Sequence, residues 1–142
     1  MGKQEVTYVL DACALIALLK QENGFEKVRD MINSVDDNEA DVYISIINLL
    51  EVYYGFISSD GIEDATRIIE KIYNSSIQIV DTISQTVYQH AARLKGTYKR
   101  ISLADSIGLA TAIEKSCHFV TSDHHELELI EQKEAIKFYW FR

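Results

Sequence analysis

Short apolar segments alternate with helical segments along the whole chain of 142 residues, and this alternation constrains the fold more than any other feature. Strands that alternate with helices predict a parallel or mostly parallel sheet with helices on both faces. The length predicts a single domain, residues 1–142. The predicted strands are Val6–Leu10, Val42–Ile44, Ile77–Val80, His118–Thr121 and Ala135–Phe141, and the predicted helices are 12–20, 24–35, 46–57, 61–73, 84–98, 101–114 and 124–132.

The helical segment 101–114, ISLADSIGLATAIE, carries an acid in its first turn. Ser102 is predicted as the N-cap, and Asp105 falls three residues later at the capping-box position. Small residues recur at every fourth position of this helix: Ala104, Gly108 and Ala112. Such a stripe lets another element approach closely. Asp105 either supports the cap and complements the helix dipole or belongs to a group of carboxylates around a metal, and this segment alone leaves both interpretations open.

Two further acids follow predicted strands. Asp11 comes directly after the first strand, and Asp123 comes two residues after the fourth. Open α/β sheets bind ligands beyond the carboxyl ends of their strands, so these two side chains are placed where they can meet. For Asp11 the competing interpretation is an N-cap of the helix that follows.

Glu51 interrupts the apolar face of the predicted helix 46–57. A carboxylate among apolar neighbours is costly to bury without compensation, so Glu51 is either solvated or functional. Three aromatic residues follow it: Tyr53, Tyr54 and Phe56. This aromatic run is interpreted either as core packing or as a groove for a partner helix.

The chain has 22 acidic residues against 14 Lys and Arg, and its formal net charge is −8. This charge argues against a protein that coats nucleic acid nonspecifically, but it does not exclude a nuclease with a local basic strip. The basic residues concentrate in one place, Arg93, Lys95, Lys99 and Arg100. They either complement the end of their own helix or contact phosphates, and we favour phosphate contact because they directly precede Ser102 and Asp105.

Several classes of protein are excluded by pattern. No apolar run approaches the length of about 20 residues that a membrane-spanning helix needs. The N-terminal segment MGKQEVTYVLD lacks the features of a signal peptide. Cys13 and Cys117 match no zinc-binding spacing. We therefore expect a cytoplasmic protein without a membrane partner.

Four carboxylates in one crevice would repel one another without a cation. The residues Asp11, Glu51, Asp105 and Asp123 offer oxygen ligands only, which favours Mg²⁺ or Mn²⁺ over zinc. A divalent metal held by carboxylates is a common means of hydrolysing phosphodiesters.

The chain resembles the PIN-domain ribonucleases, most closely their small toxin members of VapC type. The resemblance rests on four segments in order, YVLDACALIALL, SIINLLEVYYG, KRISLADSIGLATA and FVTSD. It implies a three-layer α/β/α fold with a five-stranded sheet in the order 3-2-1-4-5, a Mg²⁺-dependent endoribonuclease, a homodimer and an antitoxin partner that occludes the site. Asp11, Glu51 and Asp105 match the family's acidic triad, Asp123 its fourth acid, and Thr121 the hydroxyl residue often found near that acid.

The resemblance also implies a mechanism and leaves one departure. All four acids are assigned to the metal and to catalysis. The residues assigned to substrate binding are Thr121, Lys99 and Arg100. Water would attack the phosphodiester of RNA and leave a 5′-phosphate and a 3′-hydroxyl. Leu127 stands where many members carry Phe, which affects packing rather than chemistry.

Two alternatives belong to other classes. A receiver-type phospho-acceptor domain is also a small acidic α/β protein with Mg²⁺ at its strand ends, and Asp81, which follows the third strand, is the candidate acceptor. A catalytically silent PIN scaffold is the second alternative. We rank both below the nuclease.

Overall fold

The structure, a computed structural model, describes residues 6–142, so the segment 1–5 of the predicted domain lies outside the described residues. Its strands are β1 (Val6–Leu10), β2 (Ala40–Ser45), β3 (Gln78–Val80), β4 (His118–Thr121) and β5 (Phe138–Trp140). They form one sheet in the order β3-β2-β1-β4-β5, and every neighbouring pair is parallel. Both the α/β class and the strand order 3-2-1-4-5 are confirmed.

The helices of the described part follow the predicted segments closely. They are α1 (Ala12–Lys20), α2 (Phe25–Asp36), α3 (Ile46–Asp60), α4 (Ile62–Tyr73), α5 (Gln85–Thr97), α6 (Leu103–Lys115) and α7 (His124–Lys133). The largest difference from prediction is β5, which is shorter than the expected 135–141. β4 offers pairing partners to three residues of β5 only, which limits the length of that strand.

Alternate residues of the central strands face two separate cores, because successive side chains of a strand point to opposite faces of the sheet. Leu10 and Val120 pack on the face covered by helices α1 to α4. Val9 and Phe119 pack on the opposite face, with apolar residues of α5, α6 and α7. The molecule therefore has the predicted three layers, and β1 and β4, at the centre, are buried on both faces.

Helices α3 and α6 approach each other closely at Gly108. A Cβ added to Gly108 would lie 2.7 Å from Oδ1 of Asn48 and 2.9 Å from Cε1 of Phe119. The small-residue stripe predicted in the sequence thus meets α3 on one side and the sheet on the other. Asn48 is fully buried at this contact, one helical turn before Glu51.

The edge strand β5 is covered by aromatic contacts. Tyr139 packs edge-on against Tyr8 at a centroid distance of 5.8 Å, and Trp140 stacks on His124 of α7 at 4.1 Å. The indole N–H of Trp140 donates to Glu131 of α7 at 2.9 Å. Helix α7 therefore covers part of this apolar edge.

The strand order bears on the receiver alternative. Flavodoxin-like receiver folds have the order 2-1-3-4-5, which places their third strand inside the sheet. Here β3 is an edge strand and Asp81 is exposed beyond it. The receiver interpretation is therefore wrong.

None of the helices within residues 6–142 is long and apolar enough to cross a membrane.

Candidate functional site

A cavity of about 380 Å³ opens where β1 and β4 end. All four acids that the sequence singled out line it: Asp11, Glu51, Asp105 and Asp123. The other lining residues are Ala12, Cys13, Ile16, Tyr54, Gly55 and Ser102. Among the described residues, then, this cavity is lined by carboxylates, by apolar and small polar groups, and by no Lys or Arg.

Asp11 forms the floor of the cavity and is only 3% exposed. It is the N-cap of α1, and its Oδ1 accepts a hydrogen bond of 2.8 Å from the backbone N–H of Ala14. Burial raises its pKa to about 6, and the charge of Asp123 adds to the rise, while hydrogen bonds from Cys13, Thr121 and Ala14 oppose it. The cap interpretation and the site interpretation of Asp11 therefore both apply.

Asp105 lies in the first turn of α6, half-buried at the wall of the cavity. Ser102 is the N-cap, as predicted, and its Oγ accepts from the backbone N–H of Asp105 at 3.0 Å. Burial, followed by the charges of Asp11, Glu51 and Asp123, raises the pKa of Asp105 to about 7. The electrostatic coupling to all three other acids places Asp105 among them.

Glu51 reaches the cavity from α3, the helix that contacts both α1 and α6. Burial raises its pKa, and the side chains of Tyr54 and Asn48 on the same helix oppose the rise. Within residues 6–142, however, neither polar atom of the buried Asn48 side chain forms a hydrogen bond of ordinary geometry. A buried amide without a hydrogen-bond partner lowers the stability of the fold. The contact between Asn48 and Gly108, which supports the site, is therefore formed at a cost in folding free energy.

Asp123 and Thr121 are linked at the end of β4. Asp123 is the N-cap of α7, and its Oδ1 accepts from the backbone N–H of Glu126 at 3.3 Å. Its own N–H donates to Oγ1 of Thr121 at 3.1 Å. Thr121 is fully buried, so its burial does not support the assignment to substrate binding. Its hydroxyl instead positions Asp11 and Asp123 from beneath the cavity.

A sequence model of the PIN domain family matches residues 8–131, a range that includes the four cavity acids. The chain belongs to the PIN domain family. No curated protein sequence matches it.

Solved structures share the fold of this PIN domain over nearly its whole length. VapBC-1 from nontypeable Haemophilus influenzae has a TM-score of 0.73 at 18% identity, covering 96% of this chain and 98% of the other. VapBC2 from Rickettsia felis, bound to a DNA fragment from its promoter, has a TM-score of 0.71 at 18% identity, covering 95% and 98%. FitAcB from Neisseria gonorrhoeae has a TM-score of 0.62 at 19% identity, covering 93% and 96%. At these identities the likeness is one of fold.

Cys13 is a part of the PIN domain site that sequence reasoning missed. The sequence excluded only a zinc-binding spacing for Cys13, but its thiol lines the cavity and donates to both carboxylate oxygens of Asp11, at 2.9 and 3.0 Å. Burial and the Asp11 charge raise the pKa of the thiol to about 12, so it acts as a donor. Its position two residues after an N-cap acid was the available signal, because a first-turn side chain can bend back to the cap.

The four cations of the basic strip divide into two pairs. Arg93 forms an ion pair of 2.9 Å with Glu134, and Lys95 donates to the backbone oxygen of Lys99 at 2.8 Å. These two cations are thus engaged within the structure. Lys99 and Arg100 are exposed, and they line a separate hollow beside Ile101 and Glu126 rather than the acid cavity.

The aromatic run after Glu51 does not form one surface. Phe56 is 5% exposed in the core, and Tyr53 pairs its hydroxyl with Thr66 of α4 at 2.7 Å. Tyr54 is 56% exposed on the wall of the acid cavity, while Tyr53 is half-buried. The core-packing interpretation therefore applies to Phe56, and the three residues do not form a single groove for a partner helix.

The donor chemistry of the cavity fits a hard divalent cation. Carboxylate oxygens are the ligands that Mg²⁺ and Mn²⁺ prefer, and their mutual repulsion here lacks a lysine or arginine to offset it among the described lining residues. The ligands are not preassembled. In the part of the chain that the structure describes, no three His, Cys, Asp or Glu side chains stand grouped to hold a metal. The chemistry of the site therefore favours a metal more strongly than its present geometry does.

Proposed function

We propose that this PIN domain is a metal-dependent endoribonuclease and the toxin of a VapBC-type toxin–antitoxin pair. One observation carries the proposal: four carboxylates from separate segments line a single cavity. Burial raises the pKa values of Asp11, Glu51 and Asp105, and the charges of neighbouring acids add to the rise at Asp11 and Asp105. Groups whose pKa values are perturbed together in one cleft are candidates for a functional site.

In this proposal Asp11, Glu51, Asp105 and Asp123 hold Mg²⁺ or Mn²⁺. When bound, the metal supplies a Lewis acid and acidifies a water that hydrolyses the phosphodiester of RNA. A bound cation would offset the repulsion among the four carboxylates. Cys13 and Thr121 fix the orientation of Asp11 through hydrogen bonds to its carboxylate.

The decisive experiment is RNA cleavage by purified protein with Mg²⁺ or Mn²⁺. The wild-type protein should cleave RNA, EDTA should abolish the cleavage, and Asp105→Asn should reduce it by at least a hundred-fold while the protein stays folded. Asp81→Asn is the matched control, because Asp81 is an exposed acid outside the cavity, and it should cleave like the wild type. Wild-type protein that cleaves no RNA under these conditions would support the silent-scaffold alternative.

The partner assignment is supported by the solved structures of similar fold, several of which are toxin–antitoxin complexes. We expect a cytoplasmic homodimer that binds a small antitoxin, with a basic side chain of the antitoxin placed among the carboxylates. Expression of the chain alone should arrest growth. Co-expression of the small antitoxin, encoded next to this chain, should relieve the arrest. Normal growth with confirmed soluble expression would contradict the toxin assignment but not the PIN fold.

For the path of the RNA we propose that Lys99 and Arg100 contact phosphates. Both are exposed, whereas Arg93 forms an ion pair with Glu134 and Lys95 donates to the backbone oxygen of Lys99. The double substitution Lys99→Gln and Arg100→Gln should weaken binding equally across different RNAs and make its salt dependence shallower, because phosphate contacts release counterions. Arg93→Gln is the control and should lower stability with the salt slope unchanged. An unchanged slope in the double variant would refute the proposed path.

A further inference from the structure

The acid cavity has lining residues that the metal chemistry does not use. Beside its carboxylates lie apolar groups of α1 and α3: Ala12 and Ile16 on the first helix, Tyr54 and Gly55 on the second. We call these four residues the apolar wall. A site that only held a hydrated cation and a phosphate would have no physical need of an apolar face.

Tyr54 is held at the mouth of the cavity without being part of the core. Its ring is 56% exposed, while Val52 and Phe56 of the same helix are buried. Its side chain interacts with the carboxyl group of Glu51, one turn earlier, and opposes the rise of that pKa. This contact fixes a flat aromatic surface next to a proposed metal ligand.

Gly55 leaves open space beside this ring. A Cβ placed on Gly55 would meet no described atom within 4 Å, so packing does not require a glycine there. Glycine within a helix costs stability relative to alanine because of its backbone entropy. Gly108, by contrast, is required by the atoms around it. At position 55 the fold therefore leaves space on the cavity wall that a ligand can occupy.

We propose that the apolar wall binds one unpaired nucleobase of the RNA, stacked on Tyr54, beside the phosphodiester that the carboxylates process. This inference rests on the proposed nuclease function and deepens it. A nucleobase is flat and uncharged, so it can lie against an aromatic ring near four acids without adding to their repulsion. Bases in single-stranded RNA are free to stack on aromatic side chains, whereas bases in a duplex are already stacked on each other.

A nucleobase fits the wall better than a protein helix does. A docked helix needs apolar anchors spaced over several turns. The exposed part of the wall offers one ring and the gap at Gly55. Ile16 of α1 is half-buried and forms the edge of the wall on that helix.

The test measures binding of a labelled single-stranded oligoribonucleotide to protein carrying Asp105→Asn, which prevents cleavage. Adding Tyr54→Ala should weaken binding by roughly five- to a hundred-fold, the range that loss of one stacked base produces. Tyr54→Phe should retain binding, because it keeps the ring. Binding of a blunt duplex should be the same for all three proteins.

Gly55→Ala separates occupancy of the wall from damage to the fold. The substitution should raise the melting temperature slightly, since nothing described opposes the new methyl group, and should weaken binding by filling the space. Gly96→Ala is the matched control, because Gly96 is also helical with open space around it and lies outside the cavity. It should raise stability and leave binding unchanged.

The outcomes distinguish this inference from the proposed function. If wild-type protein cleaves RNA but Tyr54→Ala and Gly55→Ala bind it normally, the stacking proposal is wrong and the nuclease remains. If these variants bind RNA normally but the co-expressed antitoxin no longer relieves their growth arrest, the wall is a protein-docking surface and the proposal is also overturned. If wild-type protein neither binds nor cleaves RNA, the nuclease itself fails.

Discussion

Replacing Asp105 by Asn should stabilise the metal-free protein at pH 8. Burial and the charges of three neighbouring acids raise the pKa of Asp105 from 3.8 to about 7, so ionising it in the folded state is costly. A rise of about 3 units corresponds to about 4 kcal/mol when the group is fully ionised. Partial exposure screens this cost, and Asn loses a favourable interaction with the helix dipole of about 0.3–1 kcal/mol. We therefore expect a net gain of about 2 kcal/mol.

The sign of the pH dependence follows from the direction of the shift. Asp105 has a higher pKa in the folded chain than in the unfolded one, so the unfolded chain releases its proton first as the pH rises. This group therefore costs nothing below pH 4, and the cost grows between about pH 4 and pH 7 and is fully present above. The stability gap between Asp105→Asn and wild-type protein should widen over that window.

Urea denaturation in EDTA at pH 5 and pH 8 measures this gap in the free energy of unfolding. In thermal denaturation at pH 8, the melting temperature of Asp105→Asn should exceed that of wild-type protein by roughly 4–8 °C. Asp81→Asn, the exposed control, should show no comparable gap at either pH. If Asp105→Asn is no more stable than wild-type protein at pH 8, or if the gap does not change with pH, the carboxylates do not repel one another as the structure indicates.

Three further predictions concern the support of the site and the metal. Gly108→Ala should destabilise the protein by about 1–3 kcal/mol, because the new Cβ would fall 2.7 Å from a buried amide oxygen of α3, whereas Gly96→Ala should not, and thermal denaturation compares the two. Cys13→Ala should cost about 0.5–1.5 kcal/mol at pH 8, because Asp11 is then ionised and loses a donor, and Cys13→Ser should retain most of the stability in urea titrations. Mg²⁺ at a hundred times its dissociation constant should stabilise wild-type protein by about 2.7 kcal/mol in the same assay, and Asp105→Asn should show a smaller effect. Equal metal stabilisation of both proteins would exclude Asp105 as a ligand.

Much of the local structure could be read from the sequence, because it depends on residues close together in the chain. The N-cap at Ser102 follows from a hydroxyl three residues before a free backbone N–H. The buried strands follow from runs of apolar residues, and the small-residue stripe at Gly108 follows from its four-residue spacing. The strand order came from the resemblance to PIN domains, since periodicity does not specify which strands pair.

The tertiary structure decided which side chains meet. The sequence treated Tyr53, Tyr54 and Phe56 alike, and packing placed only Tyr54 in the cavity. Arg93 could be separated from Lys99 only when Glu134, the residue that follows α7, was seen to pair with it. A sequence pattern records the period of an element, whereas these contacts depend on the angles at which distant helices cross. The close approach of α3 to α6 at Gly108 is such a contact, and it brings Glu51 of α3 and Asp105 of α6 to the same cavity.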